Sequence, residues 1–212
     1  MRESLAILDY GAGNLTSVAH AVRHLGCEPT ITRDPDVVRA AERVIFPGVG
    51  AAGASMDNLR RFGLDRALRE LQASGRPLLG ICIGCQVALN RSEEDGGVDC
   101  LGLVPGDVKL FRFPAGITRK VPHMGWNEVA FTGNHPVFAG IPPASQFYFV
   151  HSYFPVPADD SVVRGTTTYG GVRFAAAMAR DNLALVQFHA EKSGPPGLRL
   201  LRNFLDWKPQ AA

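Results

Sequence analysis

Short apolar runs separated by amphipathic stretches fill the first half of the chain. Leu5–Leu8 is wholly apolar and predicts a strand that runs into Asp9-Tyr10-Gly11-Ala12-Gly13-Asn14. From Leu15 to Leu25 the residues Leu15, Val18, Ala19, Val22 and Leu25 recur at helical spacing, so a helix is predicted there with Gly26 as its C-terminal cap. Further strands are predicted at Pro29–Thr32 and Arg43–Phe46, and a helix at Leu64–Ala73. The run Pro77-Leu78-Leu79-Gly80-Ile81 then predicts a buried central strand. Strands alternating with helices in this way wind into a largely parallel sheet.

The second half changes character. Pro and Gly become frequent, and β-branched and aromatic residues cluster in short segments such as Gln146–His151 and Ser161–Thr168, which predicts an antiparallel extension. Ala184–Phe188 predicts one more strand, Gly197–Trp207 a closing amphipathic helix, and Lys208–Ala212 a loose tail. There is no internal repeat and no linker-like shift in composition, so one α/β domain over 1–212 is expected.

Composition narrows the class of function. The 212 residues are 46% hydrophobic and 20% charged, enough for one sizeable core, and the net charge of +2 is spread without a basic block. That argues against backbone-driven nucleic-acid binding. No apolar run has the length needed to span a bilayer, and the start Met-Arg-Glu-Ser lacks the layout of a signal peptide, so a cytoplasmic location is expected. Cys27, Cys82, Cys85 and Cys100 are too few for a disulfide framework.

The chemistry centres on Gly80-Ile81-Cys82-Ile83-Gly84, where a cysteine stands between two glycines after a buried strand and before an apolar stretch, Val87-Ala88-Leu89, that predicts a helix. A tight strand-to-helix turn that exposes a strained nucleophile needs glycines on both sides, because a Cβ there would collide with the neighbouring chain. At a helix N-terminus the thiolate would also be favoured. Three other readings fit Cys82: a small apolar core residue, half of a Cys82-x-x-Cys85 redox pair, or half of a zinc site. The redox reading lacks the proline usual between such cysteines, and the zinc reading lacks a second pair.

A base is available near the C-terminus. His189 and Glu191 are two residues apart and would point the same way on an extended segment, with His189 taking the Cys82 proton and Glu191 holding the imidazole. A surface His and Glu at a strand end is the alternative. Phe46-Pro47-Gly48-Val49-Gly50 follows a strand and offers backbone amides for an oxyanion, together with the amide of Ile83; a tight strand exit is the plainer explanation. Elbow and His-x-Glu together make cysteine-based acyl transfer the leading class.

The elbow Gly80 to Gln86 resembles Gly-x-Cys-x-Gly-x-Gln of the class I, triad-type glutamine amidotransferases. Leu8 to Leu15, Phe46 to Gly50, Val121-Pro122-His123-Met124-Gly125-Trp126-Asn127, Tyr148 to Tyr153 and Gln187 to Ser193 are similar to the glutaminase subunits of imidazole glycerol phosphate synthase. The resemblance runs nearly end to end and implies a class I glutamine amidotransferase-like three-layer fold, with a largely parallel central sheet and an added antiparallel region. It implies that Cys82, His189 and Glu191 hydrolyse L-glutamine to glutamate and ammonia. The ammonia would pass to a (β/α)8-barrel cyclase subunit, in a heterodimer that makes imidazole glycerol phosphate and aminoimidazole carboxamide ribonucleotide in histidine biosynthesis. By the same resemblance Gly48, Val49, Gly50 and Ile83 form the oxyanion region, which becomes competent when the partner is docked and loaded. Gln86, Glu94, Ser152 and Tyr153 hold the glutamine, with Glu93 a one-residue alternative to Glu94, and Asn14, Met124 and Trp126 face the barrel. Interior packing is the competing role for Met124 and Trp126. No cofactor or metal is implied.

Two positions depart from the family pattern: Ala190 stands where Pro is usual, and Cys85 where Met is usual. The triad is expected to survive the first. The second raises an oxidative Cys82–Cys85 link. Rival functions are the glutaminase of another synthase, a non-catalytic regulatory subunit on the same fold, and a cysteine hydrolase of other amides.

Overall fold

The computed structural model describes residues 4–11 and 14–209. Met1–Glu3, Ala12–Gly13 and Gln210–Ala212 lie outside the described residues, and with them the middle of the Asp9–Asn14 segment and the end of the expected loose tail.

Along the chain β1 (Leu5–Leu8), α1 (Leu15–His24), β2 (Thr30–Thr32), α2 (Pro35–Ala40), β3 (Arg43–Phe46), α3 (Ala52–Arg61), α4 (Leu64–Ala73) and β4 (Leu78–Ile81) alternate. The one-turn helix α5 (Ile83–Gln86) comes next. It is followed by β5 (Arg91–Ser92), β6 (Val98–Asp99), β7 (Gly106–Leu110), β8 (His123–Glu128), β9 (Ala130–Phe131), β10 (Gln146–His151) and β11 (Tyr153–Pro157). Then β12 (Val163–Tyr169), β13 (Val172–Arg180), β14 (Leu183–Val186) and α6 (Gly194–Asp206) complete the fold.

The main sheet has the order β2-β1-β3-β4-β14-β13-β12-β9. Its first five strands are parallel and the last three turn antiparallel, so the two halves of the chain share one sheet. Strands β1, β3, β4 and β14 are buried at every position, as strands covered on both faces must be. Alternate side chains separate into two cores. Ala6, Leu8, Val44, Phe46 and Leu78 meet α2, α3 and α4, while Leu5, Ile7, Ile45, Leu79 and Ile81 meet α1 and α6. This is the three-layer arrangement expected, with β10 and β8 and the set β11-β7-β5-β6 added as small sheets.

Several local expectations need correcting. Helices α2 and α3 were not anticipated, although Asp34 caps α2 through its carboxylate and Pro35 occupies its first turn. The segment Ser161–Thr168 becomes a strand only from Val163, after a 3-10 turn at Asp160–Val162. The last strand ends at Val186 rather than Phe188, and α6 starts three residues before the predicted Gly197, at Gly194, because Pro195 and Pro196 fit a first helical turn. The stretch Val87-Ala88-Leu89 is not helical, since the helix after the elbow ends at Gln86.

Candidate active site

Cys82 sits between β4 and α5 at the C-terminal edge of the parallel strands, where crevices form in open α/β sheets. Its backbone has φ 54 and ψ −106, a strained conformation for a residue with a Cβ. The surroundings hold it there: Cys82 N donates to Val186 O at 2.8 Å, and the amides of Cys85 and Gln86 donate to Cys82 O at 3.0 and 3.1 Å. The flanking glycines are required on both sides. A Cβ on Gly84 would lie 2.0 Å from Phe46 O, and one on Gly80 would lie 2.7 Å from Leu185 Cδ2 and 2.8 Å from Gly84 O.

A four-residue helix carries little of the dipole expected to favour the thiolate. What meets the sulfur instead is the side-chain amide of Gln187, whose Nε2 donates to Cys82 Sγ at 3.7 Å. Gln187 is fully buried and interrupts an otherwise apolar strand end; that polar interruption was the one signal in the sequence for a residue to which no role had been given.

His189 and Glu191 do come together, but through a different local geometry. His189 is extended at φ −87, ψ 95, and Ala190–Lys192 forms a 3-10 turn that brings Glu191 Oε1 to 2.8 Å from His189 Nδ1. The turn forms with alanine at position 190. Both side chains are buried, with side-chain exposures of 2% and 1%, which argues against a surface pair. The backbone of His189 is fixed by its N–H to Tyr148 O at 2.9 Å, and by the Ser193 hydroxyl, which donates to His189 O at 2.5 Å. Burial disfavours the imidazolium, yet attraction from Cys82 and Glu191 outweighs it and raises the His189 pKa. With Nδ1–H on Glu191, the neutral ring has its Nε2 lone pair free, and that atom makes no hydrogen bond among the described residues.

A cleft of about 310 Å³ opens over Cys82, lined by Val49, Gly50, Ile83, Gln86, Glu94, Ser152 and Tyr153 among others. These are seven of the eight residues expected in the oxyanion and glutamine sets. Gly48 is tucked beneath, where a Cβ would meet Ile83 Cγ2 at 1.9 Å and Tyr10 Oη at 2.1 Å. Ile83 opens α5, so its N–H has no acceptor within the helix. Of the two adjacent glutamates, Glu94 lines the cleft, whereas Glu93 is engaged by Leu110 N, Arg112 and Lys109. Desolvation raises the Glu94 pKa, against the N–H of Ala52, which donates to its Oε2 at 2.7 Å.

Cys85 belongs to the core cluster on the opposite side from that of Cys82, is fully buried, and is held well toward the thiol by desolvation. That placement disfavours the oxidative link. Among the described residues no group of His, Cys, Asp or Glu could hold a metal ion.

On β8 the pattern alternates, with His123 buried and Met124 and Trp126 exposed at 63% and 55%, so neither apolar side chain is interior packing. Asn14 immediately precedes α1 and its Oδ1 accepts from the Ser17 hydroxyl. His123 and His151 are both buried and linked at 3.0 Å; burial holds them at about 4 and about 3. The unfolded chain therefore binds more protons than the folded one between about pH 6.5 and those values, and stability must fall as pH drops through that window. We expect the urea midpoint to be lower at pH 4.5 than at pH 7, by on the order of 3 kcal/mol in unfolding free energy. A flat profile between the two would contradict the neutral assignment.

A family model for glutamine amidotransferase class-I matches residues 6–207. The imidazole glycerol phosphate synthase subunit HisH of Methylococcus capsulatus is 50% identical over 215 residues, covering 97% of this chain and 97% of the relative. The subunit of the same name from Moorella thermoacetica is 52% identical over 200 residues, covering 94% and 93%. A crystal structure of a glutamine amidotransferase matches the fold with a TM-score of 0.74 at 18% identity, over 95% of this chain and 97% of that one.

Proposed function

The chain belongs to the class-I glutamine amidotransferase family, and from that premise we propose that it is the glutaminase subunit of an imidazole glycerol phosphate synthase. The observation that carries the chemistry is a strained, cleft-lining Cys82 beside a buried His189–Glu191 pair at 2.8 Å. In this reading the Cys82 sulfur attacks the side-chain amide carbon of glutamine, and the oxyanion is received by backbone N–H groups of the Gly48-Val49-Gly50 segment and Ile83. His189, charged by the proton from Cys82, gives that proton to the departing ammonia. Water deprotonated by His189 then opens the thioester and releases glutamate. Glu191 keeps the ring in the Nδ1–H tautomer and balances its charge. Gln86, Glu94, Ser152 and Tyr153 orient the substrate from the cleft walls. The complete Cys-His-Glu set separates this from a regulatory subunit, and the whole chain is read as one glutaminase domain.

The partner is a cyclase subunit, taken to be a (β/α)8 barrel, that receives ammonia directly; ammonia released to neutral water would be protonated and lose its nucleophilic lone pair. Support for the docking face comes from exposed Met124 and Trp126, side-chain types enriched in interface cores. Asn14 is assigned to the same face. Trp126→Ala should weaken association with a cyclase subunit by about tenfold or more, read by titration, with the thermal midpoint of the free chain unchanged. Equal affinity would remove Trp126 from the interface.

The test of the whole reading is glutamate release from glutamine by the purified chain, alone and with a cyclase subunit and its nucleotide substrate. Release that rises by orders of magnitude in the complex is expected. Absence of release in both conditions would sink the glutaminase assignment, and full release alone would sink the partner-gated part.

A further inference from the structure

The amide orientations around Cys82 are set by a group that cannot turn over. The backbone oxygen of Tyr153 only accepts, and Gln86 Nε2 lies 2.8 Å from it, so Gln86 must present its NH2 group there. The same NH2 group is 2.9 Å from Gln187 Oε1. The reverse orientation of Gln187 would set two donors against each other, so its own NH2 group is left for Cys82 Sγ.

The Tyr153 oxygen is also the end of a second run. His151 Nδ1 donates to it at 2.7 Å, which leaves Nε2 of the neutral ring to accept from His123 Nδ1 at 3.0 Å. His123 Nε2 in turn accepts from Asn127 Nδ2 at 3.3 Å. Each ring has one tautomer that satisfies both neighbours, and the run ends on β8 beside exposed Trp126.

We propose that Gln187 is a further catalytic residue of the thiol step, donating an N–H to Cys82 Sγ, and that the acceptor oxygen of Tyr153, acting through Gln86, holds its amide in the donating orientation. When Cys82 ionises, its proton passes to His189 Nε2, and the charge left on the sulfur accepts the hydrogen bond of the Gln187 N–H. Gln86 acts through Gln187 and is a positioning residue. The titratable groups around the site are His189 and Glu191 after β14, Cys85 on α5, Tyr10 after β1, His151 at the end of β10, and Glu94 and Tyr153 in the cleft. Among the described residues Gln187 is the one that donates a hydrogen bond to the sulfur.

The proposal rests on Cys82 being the nucleophile of the glutaminase, and its test does not need turnover. Iodoacetamide modification of Cys82 in the full chain, followed by peptide mass across pH, reports the thiolate fraction. Gln187→Met keeps the volume and loses the donor, so the pH midpoint should rise by about one unit and modification at pH 7 should slow about tenfold. Gln187→Glu, which places a carboxylate oxygen against the sulfur, should raise the midpoint further. A folded Gln187→Met chain with the parent's midpoint overturns the proposal. If neither variant folds, Gln86→Met decides: freed from its partner, Gln187 can turn over, and an unmoved midpoint overturns the proposal equally. Glutamate release by the parent complex is measured alongside. A parent without release sinks the glutaminase reading, whereas an active parent with an unmoved Gln187→Met midpoint sinks this proposal alone.

Discussion

Replacing Cys82 with alanine is expected to reduce glutamate release in the complex by at least about three orders of magnitude, because no other group can form the thioester. The fold should be unaffected. Cys82 is small, and alanine keeps the same Cβ at the same φ of 54, so no new strain is introduced. Cys82→Ser should fall nearly as far, since a hydroxyl held at the same place ionises far less readily than a thiol. An unchanged thermal midpoint together with lost release is the expected pair of results. More than a tenth of parental release from the alanine variant would mean that the nucleophile has been misassigned.

The second large effect is on folding. A methyl group on Gly84 would stand 2.0 Å from Phe46 O, and Phe46 is backbone of β3, paired with β4 at Gly80 and unable to retreat without breaking the central sheet. Gly84→Ala should therefore cost about 3 kcal/mol or more, a large share of the roughly 5–15 kcal/mol that holds a domain together. Little soluble protein is expected. Gly75→Ala is the control: φ there is +74 and nothing lies within 4 Å of an added Cβ, so only the backbone strain of about 1 kcal/mol remains. Equal urea midpoints for the two variants would show that the close approach at Gly84 is not what the elbow requires.

Much of the site is legible in the sequence. The two glycines around Cys82 signalled a turn in which a Cβ cannot be accommodated, and the contacts at Gly80 and Gly84 bear that out. The boundaries of β1, β3 and α4 followed from apolar runs and helical spacing, which depend on near neighbours only. His189 and Glu191 were paired on the right separation for the wrong reason, since a 3-10 turn and not an extended strand joins them. Glu94 stood ahead of Glu93 by resemblance alone, because the physical reason lies in Arg112, Lys109 and Leu110 claiming Glu93 from across a loop.

Helix α3 marks where reading along the chain stops. Its own sequence has no capping side chain, and its buried face of Ala52, Ser55, Met56 and Leu59 is only weakly apolar. Its first amides are met by Glu94 and Asp95, 42 residues later, at 2.7 and 3.3 Å. Met124 and Trp126 were named from their segment, but only the alternation of β8 against β10 decided that they face outward while His123 faces in. Gln187 is the same case at the site itself. By itself the sequence determined the positions of β1, α1, β3, α4 and β4, the elbow and the pairing of His189 with Glu191, because hydrophobic period and steric demand act over a few residues. The tertiary structure alone decided which amide meets the sulfur, which glutamate lines the cleft and which way each buried histidine is protonated. Those outcomes are set by hydrogen-bond partners that sequence keeps far apart and folding brings within 3 to 4 Å.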